Sequence, residues 1–364
     1  MAKDGKSEIT FMRGARSFIQ GRFETVAREA FDDGWTPEEK DERPLETQVT
    51  IERARTILSH NDSPDVGFST SINPYRGCEH GCIYCYARPS HAYLELSPGL
   101  DFETKLFAKT NAAELLRAEL VKPGYKPSPI ALGANTDCYQ PIERKYRITR
   151  QILEVLAECN HPVTIVTKSA LVERDLDILG PMAEKNLVRV FVSIGTLDRE
   201  LARKLEPRAA SPQRRLDILR ALAGAKVPCG VMVAALIPAL NDKTMEHVLE
   251  AAAAAGAEEA AYVIMRLPNE LKDLFKEWLV AHYPERADHV MSIIHQLRGG
   301  RDNDPRFGTR MTGTGMYAEL IAKRFDIACR RYHLNDHGAG RRRAELDCSL
   351  FKPPPTSPGQ LALF

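Results

Sequence analysis

The chain has no long hydrophobic run and almost no excess of charge of either sign. No apolar stretch in its 364 residues reaches the roughly 18–20 residues that a transmembrane helix needs, so we expect no membrane span. The first residues, MAKDGKSEITFMRGARSF, carry charges but no apolar segment typical of a secretory signal. A formal net charge of +1 provides no global field that would draw the protein onto nucleic acid or a membrane. These absences predict a cytoplasmic protein.

Cysteines are sparse outside one short segment. Of the eight cysteines, Cys78, Cys82 and Cys85 fall within eight residues. The others are scattered: Cys138, Cys159, Cys229, Cys329 and Cys348. A disulfide framework is not expected in a reducing compartment. The uneven distribution instead predicts a metal or cluster site.

Apolar segments alternate with helical patterns from about residue 66 onward. The predicted strands are GFSTSINPY, PIALGA, PVTIVTK, LVRVFVSIG, PCGVMVAALIP and AAYVIMRLP. Their continuous apolar character indicates a parallel sheet covered by helices, and Thr149 and Ser211 are the expected N-caps of two helices. About six βα units are too few for an eight-fold barrel. The predicted fold class is therefore α/β, a partial (β/α)6 TIM-like barrel with an N-terminal extension and a C-terminal helical region.

Composition divides the chain into four predicted segments. Residues 1–60 are polar and charged and are expected to form a partly disordered N-terminal extension. Residues 61–282 carry the βα units and form the predicted barrel core. Residues 283–335 are predicted to be helical, and the proline-rich residues 336–364 to be a disordered tail.

The segment NPYRGCEHGCIYCYARPSH concentrates the candidate chemistry. Its cysteines are spaced C-x3-C-x2-C, and Gly77 and Gly81 allow tight backbone turns that bring three thiolates together. A structural zinc site would need a fourth protein ligand, for which His80 and His91 are available. A [4Fe–4S] cluster held by three cysteines leaves one iron open for a cofactor or substrate. Three buried thiols without metal are the remaining alternative.

The cysteine motif follows the first predicted strand and resembles the signature of the radical S-adenosylmethionine (radical SAM) superfamily. Its flank GCIYCYARPSH and the segments TDCYQPIE, TKS, LEPR and RLP resemble one subgroup of the branch related to spore photoproduct lyase and DNA repair photolyase-like proteins. The resemblance extends over about residues 45–330. It favours the cluster over zinc.

The resemblance implies a specific chemistry. Cys78, Cys82 and Cys85 would hold a [4Fe–4S] cluster whose open iron binds the amino and carboxylate groups of S-adenosylmethionine. One electron, from a flavodoxin- or ferredoxin-type donor, would cleave this cofactor to a 5′-deoxyadenosyl radical. The radical would abstract hydrogen from a substrate, and the partial barrel would enclose the reaction.

Polar residues near the ends of predicted strands are the candidate cofactor-binding residues, because ligands bind at the carboxyl ends of parallel strands. They are Asn135, Thr136, Asp137, Lys168, Ser193 and Arg208. Lys168 would neutralise a carboxylate, and Arg208 would offer it a guanidinium fork. An ordinary Asx-type turn is the alternative for Asn135, Thr136 and Asp137, and surface or capping roles are the alternative for the other three.

Aromatic residues flank the third cysteine of the motif. The resemblance implies that Tyr86 contacts the adenine of the cofactor and that Tyr84 takes part in radical relay. Packing around the loop is the alternative for both tyrosines.

One departure from the branch concerns the hydrogen donor. Spore photoproduct lyase returns hydrogen from a cysteine three residues before the aspartate that matches Asp137, and here that position is Ala134. This difference argues against thymine-dimer repair. Cys138 is a minority candidate for the donor, although strand alternation points it elsewhere.

Three functional hypotheses follow. The first is a radical enzyme acting on nucleic acid or a related anionic substrate, supported by the branch and by local arginines such as Arg208, Arg214 and Arg310, while the near-zero net charge argues against it. Arg266, at the end of the last predicted strand, is a candidate contact for an anionic substrate. The second is a radical enzyme acting on a small molecule or a protein side chain, without the auxiliary clusters that a second cysteine group would bind. The third is a nucleic-acid-binding module with structural zinc on the three cysteines and His80.

Overall fold

The computed structural model describes residues 13–25, 45–336 and 345–355. The strands within these ranges are β1 Gln48–Glu52, β2 Leu58–His60, β3 Thr70–Ile72, β4 Tyr75–Arg76, β5 Lys105–Lys109, β6 Ile130–Leu132, β7 Val163–Thr167, β8 Val188–Ser193, β9 Cys229–Leu236 and β10 Glu259–Ile264. The α-helices are α1 Asp101–Thr104, α2 Ala112–Leu120, α3 Glu143–Tyr146, α4 Ile148–Glu158, α5 Leu176–Glu184, α6 Arg199–Leu205, α7 Pro212–Gly224, α8 Met245–Ala254, α9 Leu271–His282, α10 Ala287–Leu297 and α11 Met316–Arg331.

A seven-stranded sheet forms the centre of the fold, in the order β10-β9-β8-β7-β6-β3-β2. The six strands from β3 to β10 in this order are parallel, and β2 pairs antiparallel with β3. Within the described ranges, the edge strands β10 and β2 do not pair with each other. The predicted α/β class and the partial six-stranded parallel barrel are therefore confirmed.

Helices between consecutive strands cover the sheet. Val190 and Val231 on the strands pack with Leu219 and Leu249 on the helices in one continuous, fully buried hydrophobic core. Apolar strands that are buried in this way are what the continuous hydrophobic runs in the sequence predict.

A second, three-stranded sheet lies beside the barrel in the order β1-β5-β4. Strand β1 runs parallel to β5, and β4 runs antiparallel to it. Strand β5 was not predicted from the sequence, in which its segment KLFAK has three apolar residues between two lysines. Because β4 leads directly into the cysteine loop, this sheet fixes where the loop begins.

Two helix starts differ in how they are capped. Ser211 caps α7 as predicted, and its side chain accepts a hydrogen bond from the Arg214 amide. Thr149 was predicted to cap α4 but lies inside the helix, and its amide donates to Glu143 Oε2 over 3.0 Å. The buried carboxylate of Glu143, the first residue of α3, supplies the acceptor that a capping side chain would provide.

The C-terminal part of the chain packs on the barrel. Helices α9, α10 and α11 follow β10, and residues 345–355 cross over the loops at the ends of α4 and α5, where the Lys352 amide donates to Cys159 O over 2.9 Å. Of the terminal segments predicted to be partly or wholly disordered, residues 1–12, 26–44, 337–344 and 356–364 lie outside the described residues. None of the described helices combines the length and the apolar character that crossing a membrane demands.

Candidate cofactor site

The cysteine loop connects β4 to a 3-10 helix at Arg88–Leu94. Gly77 and Gly81 adopt φ angles of +73° and +67°, as the glycine pattern predicts. The Cys78 amide donates to Phe102 O over 2.9 Å, and the Cys85 amide donates to Cys82 O over 3.2 Å. These turns place all three cysteines in one compact loop.

The three thiols lie close enough to influence one another. Burial raises the pKa of Cys78, and the Asp137 carboxylate and the other two cysteines raise it further. Burial also raises the pKa of Cys82. Neighbouring thiolates in such surroundings require a bound cation or cluster to compensate their charge. A set of soft sulfur donors with this requirement fits an iron–sulfur cluster.

The histidines considered for a zinc site are held by other groups. His80 Nδ1 lies 3.3 Å from Asp137 Oδ2, and His91 Nε2 lies 2.9 Å from the main-chain oxygen of Lys105. In the part of the chain that the structure describes, no three His, Cys, Asp or Glu side chains are arranged to hold a single metal ion. Both histidines belong to the framework around the loop.

A buried ion pair supports the loop from inside. Arg88 is fully buried and donates to Cys82 O over 2.9 Å, to Gly81 O over 3.1 Å and to Glu103 Oε1 over 2.5 Å. One guanidinium thereby binds carbonyls inside the cysteine motif and a carboxylate outside it. Arg88 was not predicted from the sequence, where its only signal is an arginine three residues after the last cysteine.

Asp137 lies at the carboxyl edge of the sheet, as predicted, but its carboxylate is engaged by the protein. Oδ1 accepts from Thr167 Oγ1 over 2.8 Å and from the Tyr139 amide over 2.9 Å, and Oδ2 accepts from the Lys168 amide over 2.7 Å. Burial alone would raise its pKa, but His80 and these amides together lower the pKa of Asp137 to about 2. Asp137 therefore ties the end of β6 to the end of β7.

Three other predicted residues at this edge also contact the framework. Thr136 is buried and donates through Oγ1 to Tyr75 O over 2.9 Å. The Asn135 amide donates to Asn73 Oδ1 over 3.0 Å. Ser193 is buried, and its carbonyl accepts from an arginine of α7 over 2.9 Å. The structure therefore brings all three residues to one edge of the sheet. There the Thr136 hydroxyl, the Asn135 amide and the Ser193 carbonyl already form hydrogen bonds within the protein.

Lys168 and Tyr84 lie together beside the loop. Lys168 Nζ is 5.8 Å from the centre of the Tyr84 ring, and its charge lowers the pKa of Cys82 against the larger effect of burial. The Tyr84 hydroxyl donates to Glu206, which also pairs with buried Arg215. The cationic head of Lys168 thus lies over the Tyr84 ring, close enough to the second cysteine for its charge to act on the thiol.

Arg208 contacts the part of the loop that follows the first cysteine. Its Nη2 donates to Glu79 Oε1 over 3.0 Å, and its amide donates to His80 O over 3.3 Å. Since Glu79 and His80 follow the first cysteine directly, Arg208 holds the first turn of the motif, and the carboxylate that its guanidinium contacts here is that of Glu79.

Tyr86 and Cys138 occupy different environments. Tyr86 is half exposed, and its hydroxyl donates to Ala134 O. Cys138 is fully buried in the hydrophobic core, and burial raises the pKa of its thiol. Tyr86 thus lies beside Ala134 with half of its surface exposed, whereas Cys138 is enclosed in the core.

Arg266 lies two residues beyond the end of β10 and has few partners. Its Nε is buried without a hydrogen-bond partner among the described residues, and its Nη1 is 3.7 Å from Met311 Sδ. Burial and the neighbouring charge of Arg310 lower its pKa. Arg310 itself donates to Asp65 over 2.5 Å. Arg266 is therefore a guanidinium with donor capacity left for an anion.

Comparisons with known proteins identify the family. The model of the radical SAM superfamily matches residues 72–252. An uncharacterized protein of Mycobacterium tuberculosis, Rv2578c, is 40% identical over 231 residues, which cover 63% of this chain and 68% of that protein. An uncharacterized protein of Methanocaldococcus jannaschii, MJ0683, is 25% identical over 68% of this chain and 88% of its own length.

Solved structures show the same fold. Spore photoproduct lyase complexed with dinucleoside spore photoproduct superposes with a TM-score of 0.54 at 18% sequence identity, covering 78% of each chain. A mutant of the same lyase in which phenylalanine replaces a tyrosine gives the same TM-score, identity and coverage. At this level of identity the likeness concerns the fold.

Proposed function

Because this chain belongs to the radical SAM superfamily, whose members use a [4Fe–4S] cluster and S-adenosylmethionine, we propose that Cys78, Cys82 and Cys85 hold that cluster and that the protein abstracts hydrogen from an anionic substrate. The observation that carries the proposal is the set of three neighbouring thiols in one loop, whose carbonyls are held by buried Arg88. A loop built in this way keeps three soft donors together before any ligand binds.

The cofactors supply the radical chemistry: when bound, the cluster delivers the electron that cleaves S-adenosylmethionine to a hydrogen-abstracting 5′-deoxyadenosyl radical. The protein's own residues orient and enclose the reactants. Lys168, beside Tyr84 and Cys82, is placed to pair with the carboxylate of the methionine moiety. Tyr86, half exposed beside Ala134, offers a ring face for the adenine.

The anionic substrate is inferred from Arg266. Its partly buried guanidinium lacks a strong acceptor, so a phosphate or carboxylate there would gain a charge-assisted hydrogen bond. A nucleic acid or nucleotide supplies such a phosphate, and a spore photoproduct lyase of the same fold has been solved with a dinucleoside photoproduct. The core position of Cys138 and the alanine at position 134 support a reaction other than thymine-dimer repair.

The proposal includes a cytoplasmic location and reduction by a flavodoxin- or ferredoxin-type donor. Within the described ranges, which include all eight cysteines, no disulfide is formed, which is compatible with a reducing compartment.

The test of the reaction class is anaerobic reconstitution with iron and sulfide, followed by dithionite and S-adenosylmethionine. We expect a brown protein that forms 5′-deoxyadenosine, and loss of both properties in Cys82→Ser. Cys348→Ser makes the same change outside the loop and should retain both. A colourless protein containing one zinc would refute the proposal and favour the structural-zinc alternative.

The substrate class is tested separately with short single-stranded oligonucleotides. We expect salt-sensitive binding to the reconstituted protein that Arg266→Gln weakens, with 5′-deoxyadenosine formation in the absence of substrate unchanged. Arg144→Gln, on an exposed helix, is the matched control. Formation of 5′-deoxyadenosine without any oligonucleotide binding would favour a small molecule or protein side chain as substrate.

A further inference from the structure

An N-terminal segment lies against the cysteine loop although it is more than 60 positions away in sequence. The amides of Gly14 and Ala15 donate to the two carboxylate oxygens of Glu103, over 2.9 Å and 2.8 Å. The same carboxylate pairs with Arg88, which binds Cys82 O. Glu103 therefore connects the N-terminal segment to the cysteine motif through one buried network.

The N-terminal segment packs so closely against the cysteine loop that there is no space for a side chain at Gly14. A Cβ atom on Gly14 would lie 1.7 Å from Gly81 O, far inside van der Waals contact. Ala15 is buried in the same hydrophobic cluster as Ile83, which lies between the second and third cysteines, and Leu100. A glycine at position 14 is thus required by the approach of two backbones.

A second line of contacts begins at Arg13. Its guanidinium donates to Glu103 O over 2.8 Å and to Thr47 Oγ1 over 3.1 Å. Thr47 donates in turn to Glu79 Oε1 over 2.5 Å. Glu79 follows the first cysteine, so the N-terminal segment is linked to the motif beside its first cysteine as well as at its second.

Further hydrogen bonds hold the segment along its length. The Leu100 amide donates to Ser17 O over 3.1 Å, and Ser97 Oγ donates to Ile19 O over 2.6 Å. These bonds fix an extended chain that belongs to no helix or strand. We name residues 13–19 the N-terminal strap.

We propose that the N-terminal strap fixes the cysteine loop in its cluster-holding conformation and restricts solvent access to the cluster, with Gly14 as the positioning residue. The inference rests on the proposed function in that the loop holds the cluster. The strap lies outside residues 72–252, which match the family model. Cluster loss and oxidation require the loop to open, and opening requires the strap contacts at Gly81 and Glu103 to break.

The test measures cluster retention in the reconstituted protein. Gly14→Val places a branched side chain against Gly81 O, whereas Gly67→Val is the matched control, since nothing lies within 4 Å of a Cβ at Gly67. We expect iron release to a chelator and bleaching in air to be about tenfold faster in Gly14→Val, equivalent to about 1.4 kcal/mol in loop opening. The control should match the wild type.

The outcomes separate the two proposals. If the wild type holds no cluster after reconstitution, the proposed function fails. If it holds a cluster that Gly14→Val retains as long as Gly67→Val does, the strap inference fails and the proposed function stands.

Hydrogen exchange on the wild type keeps the test independent of folding of the variant. Coupling between strap and cluster is reciprocal, so the Gly14 and Ala15 amides should exchange faster after a chelator removes the cluster. Equal exchange with and without the cluster would overturn the inference.

Discussion

At the scale of single residues, Arg88 is the side chain on which the cysteine loop most depends. It is fully buried and pairs with Glu103, whose side chain is also fully buried. Removing one partner of a buried pair leaves an uncompensated charge, at a cost of about 3–5 kcal/mol. We therefore expect Arg88→Ala to lower the free energy of unfolding by that amount in urea titrations.

Two further variants, Arg88→Lys and Arg144→Ala, test whether the loss of stability comes from the contacts of the Arg88 guanidinium. Arg88→Lys keeps the charge but loses the planar fork that reaches Cys82 O and Gly81 O, so it should be intermediate. Arg144→Ala, on the exposed side of α3, should change stability by less than about 0.5 kcal/mol. Equal stability of the Arg88 and Arg144 variants would contradict the role given to Arg88.

Asp137 provides a second test at this scale. Its pKa falls from 3.8 to about 2 in the folded chain, which corresponds to about 2 kcal/mol of stability. Because the folded pKa is the lower one, this stability is present above the unfolded pKa and is lost as pH falls through about 2. Asp137→Asn should therefore be less stable by about 2 kcal/mol at pH 7 in urea unfolding. Asp62→Asn, on an exposed loop, should match the wild type.

The candidate site could be predicted from sequence where its signal is local. The cysteine spacing and the two glycines are adjacent in the chain, so the motif reveals both the donors and the turns. The contacts of Glu103 with Gly14 and of Arg208 with Glu79 join residues far apart in sequence, which leave no pattern. For the same reason His80, Thr167 and Lys168 were not visible as partners of Asp137. The Tyr139 amide, two residues from Asp137, makes the local Asx-type turn that the sequence offered as the alternative.

At the scale of elements, hydrophobic runs predicted the barrel strands because burial on both faces requires continuous apolar residues. Strand β5 was missed because its apolar run is only three residues long and lies between two lysines. The prediction that Thr149 caps α4 was wrong because the acceptor for its amide is Glu143, which belongs to α3. Local propensity fails where a tertiary contact supplies the missing hydrogen bond.

The C-terminal segment, residues 345–355, packs against a buried histidine that follows α4, His161. His161 is fully buried, its Nδ1 donates to Pro162 O over 3.0 Å, and its Nε2 accepts from the Tyr125 hydroxyl over 2.8 Å. The ring of Phe351 packs edge-on against it at 5.4 Å. Burial lowers the pKa of His161 to about 4 from 6.5. The folded chain therefore favours the neutral imidazole.

This shift fixes the sign of the pH effect. Between pH 6.5 and about 4 the unfolded chain binds the proton and the folded chain does not, so stability falls as pH falls. The contribution of His161 over that window is about 3 kcal/mol. Urea unfolding of His161→Gln should show a flatter pH profile by that amount, and His289→Gln, on an exposed position of α10, should keep the wild-type profile. Parallel profiles for all three proteins would contradict the assignment.

At the scale of the whole molecule, the opening between the edge strands β10 and β2 is bridged by loops. The Ile264 amide at the end of β10 donates to Met311 O over 2.8 Å. Three residues earlier, the Gly308 amide donates to Asp65 over 2.6 Å, and Arg310 donates to the same carboxylate over 2.5 Å. Asp65 lies in the loop that connects β2 to β3, so residues 308–311 join the two edges of the sheet.

This bridge should couple the edges of the barrel energetically. Asp65 and Arg310 are both largely buried, with side-chain exposures of 7% and 17%, so their pairing is little screened by solvent. A double-mutant cycle with Asp65→Asn and Arg310→Gln should give a coupling energy of about 1–2 kcal/mol, since paired residues are not additive. In either single variant the Gly308 amide should exchange with solvent faster, because its acceptor weakens or its loop loosens. Additive effects with unchanged exchange at Gly308 would show that the pairing of Asp65 with Arg310 does not couple the two edges.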